Sequence, residues 1–250
     1  MVIVTTSWDD GHPLDIRLAD MLSRYGIRGT FYVSPFNREC AVLSSRELKD
    51  LSSRFEIGAH TMTHPRLDLL PRQEFVQEIR GSKEVLEDLT GRPVAMFCYP
   101  KGRHNRSVRQ AVIDAGFDGA RDSMEYHIDL GTDPWCMRTT IQVCPRSFHV
   151  RLRHSVRFGN WRGIEELCRT GLGLPWKELG SRFFDKMFAE GGVWHLWGHS
   201  WEIEERSLWA ELESLLEYVS ARDGVQYLSN LDVVRTMTKA PCDVRKDSEA

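Results

Sequence analysis

The feature that most constrains this chain is an alternation. Short apolar, β-branched runs are followed repeatedly by a polar loop and then by a stretch of helical period. MVIVTT (residues 1–6) is such a run; Pro13 then opens PLDIRLADMLSRYG, where Leu14, Leu18, Met21 and Leu22 recur at helical spacing and Gly26 stops the helix. GTFYV (29–33) leads to Ser44-Ser45-Arg46-Glu47, a capping-box pattern ahead of LKDLSSR. FEIGA (55–59) precedes a long amphipathic stretch opened by Pro71 and closed by Gly91. Phe75, Ile79, Val85, Leu86 and Leu89 form its apolar stripe, with Gly81 as an interior weak point. VAMFCY (94–99), a helix over 105–115 and GFDGA (116–120) continue the pattern. Residues 121–190 are less regular, with TTIQVC (139–144) as a strand among helices divided by Gly and Pro. GVWHLWG (192–198) is the last strong strand; SLWAELESLLEYVSA, VQYL and SNLDVVRTM add a helix, a strand and a helix. Strands alternating with helices imply a parallel sheet with right-handed crossovers, and seven or so such units closing on themselves make a barrel. A doubly wound open sheet is the second choice. Because single α/β barrels run to about 250 residues, one domain is expected over 1–240, with 241–250 as a disordered tail.

Composition excludes several functions. The 250 residues carry 33 Lys+Arg against 36 Asp+Glu, a formal charge of -3 without charge blocks, so the broad basic face of a nucleic-acid binder is absent. No segment approaches the roughly 18 consecutive apolar residues of a membrane span. MVIVTTSWDD carries no export pattern, which leads to the expectation of a soluble, cytoplasmic protein. The six cysteines form no CxxC pair and are expected to be reduced, buried and not metal ligands.

The polar clusters all fall just after strand C-termini. Ser7-Trp8-Asp9-Asp10-Gly11-His12 follows the first strand, His60-Thr61-Met62-Thr63-His64 the third, Tyr99-Pro100-Lys101-Gly102 the fourth, and His199 the GVWHLWG strand. That rim is where parallel sheets build their sites. Adjacent Asp9 and Asp10 point in different directions, so one carboxylate can bind a metal while the other faces a water as base. Equally, the triplet can be a turn in which Asp10 or His12 caps the helix. His60 and His64, four apart, would share a face on a helical turn and suit one Zn²⁺, although Pro65 disfavours helical geometry at His64, so the turn must end there or be irregular. With one aspartate the set becomes two imidazoles and a carboxylate, which also fits Fe²⁺, Mn²⁺ or Co²⁺.

TSWDDGH, HTMTH, FCYPKG and LWGH resemble the successive motifs of the polysaccharide deacetylase family, metal-dependent carbohydrate de-N-acetylases with a distorted (β/α) barrel, over residues 2–235. The resemblance implies Asp9 as catalytic base, Asp10, His60 and His64 as metal ligands, His199 as general acid and the Lys101 amide as oxyanion donor. Three departures stand out. Cys98 occupies the place of the arginine that braces the catalytic aspartate, with Arg103 and Arg121 as possible substitutes. The fourth motif is reduced to Asp133-Pro134-Trp135, and Ser200 follows the last histidine where an aspartate is common. Trp194, Trp197 and Trp201 crowd that histidine, and Tyr99, Trp197 and Trp201 are expected to line the substrate pocket. His195 alternates into a packed face, and His104, His127, His149 and His154 are expected to be ordinary surface or core residues.

The expected reaction is metal-assisted hydrolysis of an amide on an amino sugar, within a soluble, nucleotide-linked or lipid-linked glycan precursor. A metal supplies acidified water and carbonyl polarisation, Asp9 takes a proton and His199 gives one. The alternatives are an N-formyl sugar or non-sugar amide at the same site, or a metal-containing barrel that binds a glycan without cleaving it.

Overall fold

The structure, a computed structural model, describes residues 1–239, so the tail expected over 241–250 lies outside the described residues. Among the described residues, eight strands form one parallel sheet. They are β1 (Val2–Asp10), β2 (Thr30–Val33), β3 (Glu56–Ala59), β4 (Met96–Cys98), β5 (Gly119–Arg121), β6 (Ile141–Gln142), β7 (Gly192–Gly198) and β8 (Val225–Tyr227). Seven follow the path β5-β4-β3-β2-β1-β7-β6, matching the expected number of units, while β8 pairs with β1. β8 takes Val2–Val4 of β1, and β2 takes the same strand from Ser7 onward. The curled sheet is drawn together at its ends by one segment. Met137 forms a lone bridge to Arg121 of β5, and β6, a few residues on, pairs with β7. The expected barrel is present, and the closing segment is held to the end of β5 by backbone hydrogen bonds, Met137 N to Ala120 O at 2.9 Å and Asp122 N to Met137 O at 3.1 Å among them.

Ten helices of the described residues surround the sheet: α1 (Asp15–Arg24), α2 (Ser45–Arg54), α3 (Arg72–Thr90), α4 (Arg106–Asp114), α5 (Phe148–Arg157), α6 (Trp161–Thr170), α7 (Trp176–Glu190), α8 (Ser200–Glu205), α9 (Trp209–Val219) and α10 (Asn230–Lys239). The Ser44/Glu47 capping box forms at the start of α2, and Gly91 ends α3 in the left-handed region. Gly81, the weak point of α3, has a packing reason. A β-carbon there would lie 3.2 Å from the Met62 sulfur, so the glycine lets the Met62 loop seat on the helix.

β1 exceeds its expected length, running on through Asp10, so both carboxylates stand on the strand's last residues and not in a loop after it. Buried on both faces, as parallel strands are, β1 divides its side chains by the two-residue period. Val4 and Trp8 join the large core under the helices, while Ile3 joins Tyr32, Met96, Met137 and Val193 inside the barrel. Val233 and Val234 of α10 complete that inner cluster. Asn230 at the head of α10 satisfies the polar groups there, giving its amide to Thr5 Oγ1 at 2.8 Å and accepting from Tyr32 Oη at 2.9 Å.

Candidate active site

The inward period of β1 ends on Asp9, which meets Arg121 of β5 inside the barrel. Arg121 is fully buried, pairs with both Asp9 carboxylate oxygens and donates to the Asp122 carbonyl at 3.0 Å. Its guanidinium lies over the rings of Tyr32 and Trp197, 5.3 and 4.9 Å from their centroids. Cys98 is the register partner of Arg121 across β4 and β5, and its sulfur sits 3.8 Å from Asp9 Oδ2. The bracing guanidinium therefore comes from the neighbouring strand at the same level. Arg103, the other possible substitute, lies over Phe158 at 4.2 Å. Burial pushes the Asp9 carboxyl up, but Arg121, then His60 and His199, more than offset this and hold it below the usual range.

Asp10 turns the other way through a positive φ of 84°. Trp201 Nε1 donates to its Oδ2 at 2.8 Å, whereas its buried Oδ1 has no hydrogen-bond partner. Toward that orphan oxygen point His64 Nε2 at 3.5 Å and His60 Nε2 at 3.9 Å. The other ring nitrogens are engaged: His60 Nδ1 with the Cys98 carbonyl at 2.8 Å, His64 Nδ1 with Glu39 Oε2 at 2.9 Å. Since a carbonyl and a carboxylate only accept, each Nδ1 is the donor, which leaves Nε2 as the nitrogen facing Asp10. Burial, reinforced by His64, pushes His60 down and favours its neutral form. Three donor atoms within 4.8 Å of one another, one otherwise an uncompensated buried oxygen, fit a divalent cation.

Of the two outcomes that Pro65 allowed, the histidine pair takes the irregular one. Residues 60–64 form an irregular turn with Thr61 and His64 at φ of 66° and 63°, and the Thr61 hydroxyl accepts from the His64 amide at 3.0 Å. Pro65 disfavours right-handed helix at His64, and the left-handed turn answers that restriction.

His199 precedes α8, with Trp197 and Trp201 rings 5.6 and 5.3 Å away and Nδ1 3.3 Å from Glu202. Burial alone would lower its pKa; the Glu202 hydrogen bond, then Asp10 and Asp9, raise it above the ordinary value. Ser200 donates to Asp15 Oδ1 at 2.5 Å, so it serves a carboxylate on α1 and leaves the imidazole to Glu202. His195 packs inside the barrel, Nε2 at 2.8 Å from Ser7 Oγ and Nδ1 at 3.1 Å from the Arg138 carbonyl, and burial drives it down to about 3. His12 Nδ1 accepts from the Leu14 amide at 3.2 Å. That bond reaches the N-cap residue itself, and the N-cap of α1 carries no side-chain cap, so neither Asp10 nor His12 caps the helix.

One cavity of about 350 Å³ is lined by all the residues expected at the site: Asp9, Asp10, His60, His64, Tyr99, Lys101, Trp197, His199 and Trp201. Lys101 and Gly102 take successive left-handed conformations, and a β-carbon at Gly102 would fall 1.9 Å from Ser123 Oγ. The Lys101 ammonium reaches Glu39 at 2.7 Å, and Tyr99 gives its hydroxyl to the Trp135 carbonyl at 3.2 Å. Trp201 is more than a wall, since it holds Asp10. Trp194 turns outward, donating to the Gly180 carbonyl at 2.9 Å. Asp133 pairs with Arg109 and does not line this cavity. Sequence reasoning missed Glu39, Gln142, Arg146 and His154, all in the lining. Glu39 lies 25 positions from His64, and no local pattern announces it.

Residues 2–120 match the family model described as polysaccharide deacetylase. Chitin deacetylase 1 of Cryptococcus neoformans var. grubii is 30% identical over 142 residues, which is 50% of this chain and 29% of that protein. The chain thus spans less than a third of that relative's length. A structure described as a "putative polysaccharide deacetylase" from Mycobacterium smegmatis superposes with a TM-score of 0.68 at 16% identity, covering 94% of this chain and 90% of the other. The chitin deacetylase of Colletotrichum lindemuthianum gives 0.59 at 15% identity, covering 92% and 86%. At these identities the two structures establish the fold. No helix among the described residues is long and apolar enough to cross a membrane.

Proposed function

We propose that this chain, a member of the polysaccharide deacetylase family through residues 2–120, hydrolyses the N-acyl amide of an amino sugar. The observation that carries the reading is the orphaned Asp10 Oδ1 facing two imidazole nitrogens, with Asp9 on the next residue and His199 in the same cavity. Asp10, His60 and His64 would hold one divalent ion, most simply Zn²⁺, with Fe²⁺, Mn²⁺ or Co²⁺ compatible with the same donors. When bound, such an ion polarises an acyl oxygen and acidifies water.

The protein's own groups do the rest. Asp9, kept ionised by Arg121, takes a proton as water adds to the acyl carbon. His199, held by Glu202 and biased toward its protonated form, gives a proton to the nitrogen as the C–N bond breaks. The products are a free amine and a carboxylic acid. The Lys101 amide, in its left-handed turn, is the proposed donor to the developing oxyanion. Trp197 and Trp201 supply aromatic walls suited to a sugar face. A cavity near 350 Å³ is of the size that encloses one small ligand unit.

The test is acid release by the metal-loaded protein from N-acetyl chito-oligosaccharides, N-acetyl and N-formyl amino sugars and simple amides. Acetate from the N-acetyl sugars, abolished by chelation and restored by Zn²⁺, is the expected result. Turnover confined to formyl sugars or simple amides would change the substrate. Glycan binding without turnover of any of them would make the barrel a binding module.

A further inference from the structure

A second trio of donor atoms converges outside the catalytic cavity. His104 Nε2, an Asp122 carboxylate oxygen and Cys136 Sγ all lie within 4.8 Å of one another, with His104 Nε2 3.8 Å from the sulfur. Zinc bonds of about 2.3 Å to sulfur and about 2.0 Å to nitrogen, at a tetrahedral angle, hold the two atoms roughly 3.6 Å apart. The observed spacing is therefore close to that of two ligands sharing one ion. All three residues face a cavity of about 470 Å³, larger than the catalytic one, which leaves a fourth position open to water.

We propose that His104, Asp122 and Cys136 form a second metal site, for a borderline-soft divalent ion such as Zn²⁺, which ties the segment that closes the barrel to the segments after β4 and β5. The donors come from three segments: His104 follows the turn Pro100–Gly102, Asp122 follows β5, and Cys136 immediately precedes Met137, whose amide donates to the Ala120 carbonyl at 2.9 Å and whose carbonyl accepts from the Asp122 amide at 3.1 Å. An ion on these donors would fix the closing segment against β5 beside the residue that braces Asp9. This inference is independent of the proposed reaction.

The surroundings fit ligation. The Tyr99 ring stacks on His104 with centroids 4.2 Å apart, which fixes the imidazole plane. Arg109 donates to the Cys136 sulfur at 3.8 Å while both its terminal nitrogens hold Asp133, an outer contact of the kind that steadies a metal-bound thiolate.

Cobalt(II) titration of the whole chain tests the site. A near-ultraviolet thiolate-to-cobalt charge-transfer band should grow in the wild-type protein, vanish in Cys136→Ser and persist in Cys98→Ser and His60→Ala, which separates it from the rim site. Zinc content after dialysis should fall by one equivalent in Cys136→Ser and, as a check should that variant fold poorly, in His104→Ala. Absence of the band in wild type, its survival in Cys136→Ser, or unchanged zinc content in both variants overturns the proposal.

Discussion

The two halves of the chain build one site by different means. In residues 2–120 each motif is local: Asp9 and Asp10 are neighbours on β1, and His60 and His64 share one turn. Beyond them the contributions are long-range. Arg121 reaches Asp9 across 112 positions, and the Trp201 indole reaches Asp10 across 191. The segment matched by the family model stops at residue 120, one residue short of the brace. The first half therefore supplies the two aspartates and the two histidines that face Asp10, and the second adds His199 and holds both aspartates through Arg121 and Trp201.

That division can be broken deliberately, beginning with the largest effect. His60→Ala and His64→Ala each remove a first-half donor. Loss of stoichiometric metal at the rim and a fall of acid release to background are expected, by metal analysis and assay. Retained metal and activity in both would remove the ligand set. Arg121→Met removes the second-half brace and leaves a buried carboxylate unpaired, which should cost about 3–5 kcal/mol in denaturant unfolding. The same variant should move the acid limb of the kcat profile. Arg121 lowers the Asp9 pKa, so its loss raises that pKa, and activity disappears at a higher pH on acidification. Cys98→Ser should leave that limb in place, because the sulfur stands 3.8 Å off and is not the brace. Glu202→Gln is milder than Arg121→Met. Glu202 raises His199, so without it the imidazole loses its proton at lower pH, and the alkaline limb should shift down. An unmoved alkaline limb would separate His199 from the proton transfer.

The barrel was legible because its strands are compact β-branched runs and its helices carry their own stops. GVWHLWG was read to its residue limits as β7, and the Ser44/Glu47 box marked the start of α2. What local pattern hides is closure. β6 comprises only Ile141–Gln142, and the Met137 bridge has no periodicity to announce it. At the site, the nine residues named from sequence meet in one cavity because strand ends bring them to one rim. For His60 and His64 the spacing suggested a helical turn while Pro65 allowed an irregular one, and the two left-handed residues make it the latter. Arg121 could be named only as a possible substitute, because an arginine next to a short β run does not reveal whether it points inward. Glu39 and Glu202 depend on loop and helix placement that no motif encodes.

The central claim is that Asp9, ionised by Arg121 and adjacent to a metal-binding trio, is the base of an amide hydrolysis. Its most direct test is Asp9→Asn, assayed for acetate release from N-acetylated chito-oligosaccharides with rim metal content measured on the same sample. The account predicts that metal is retained while kcat falls by about 10²–10⁴-fold, the range typical of a lost general base. Wild-type turnover with unchanged metal content in Asp9→Asn would contradict it.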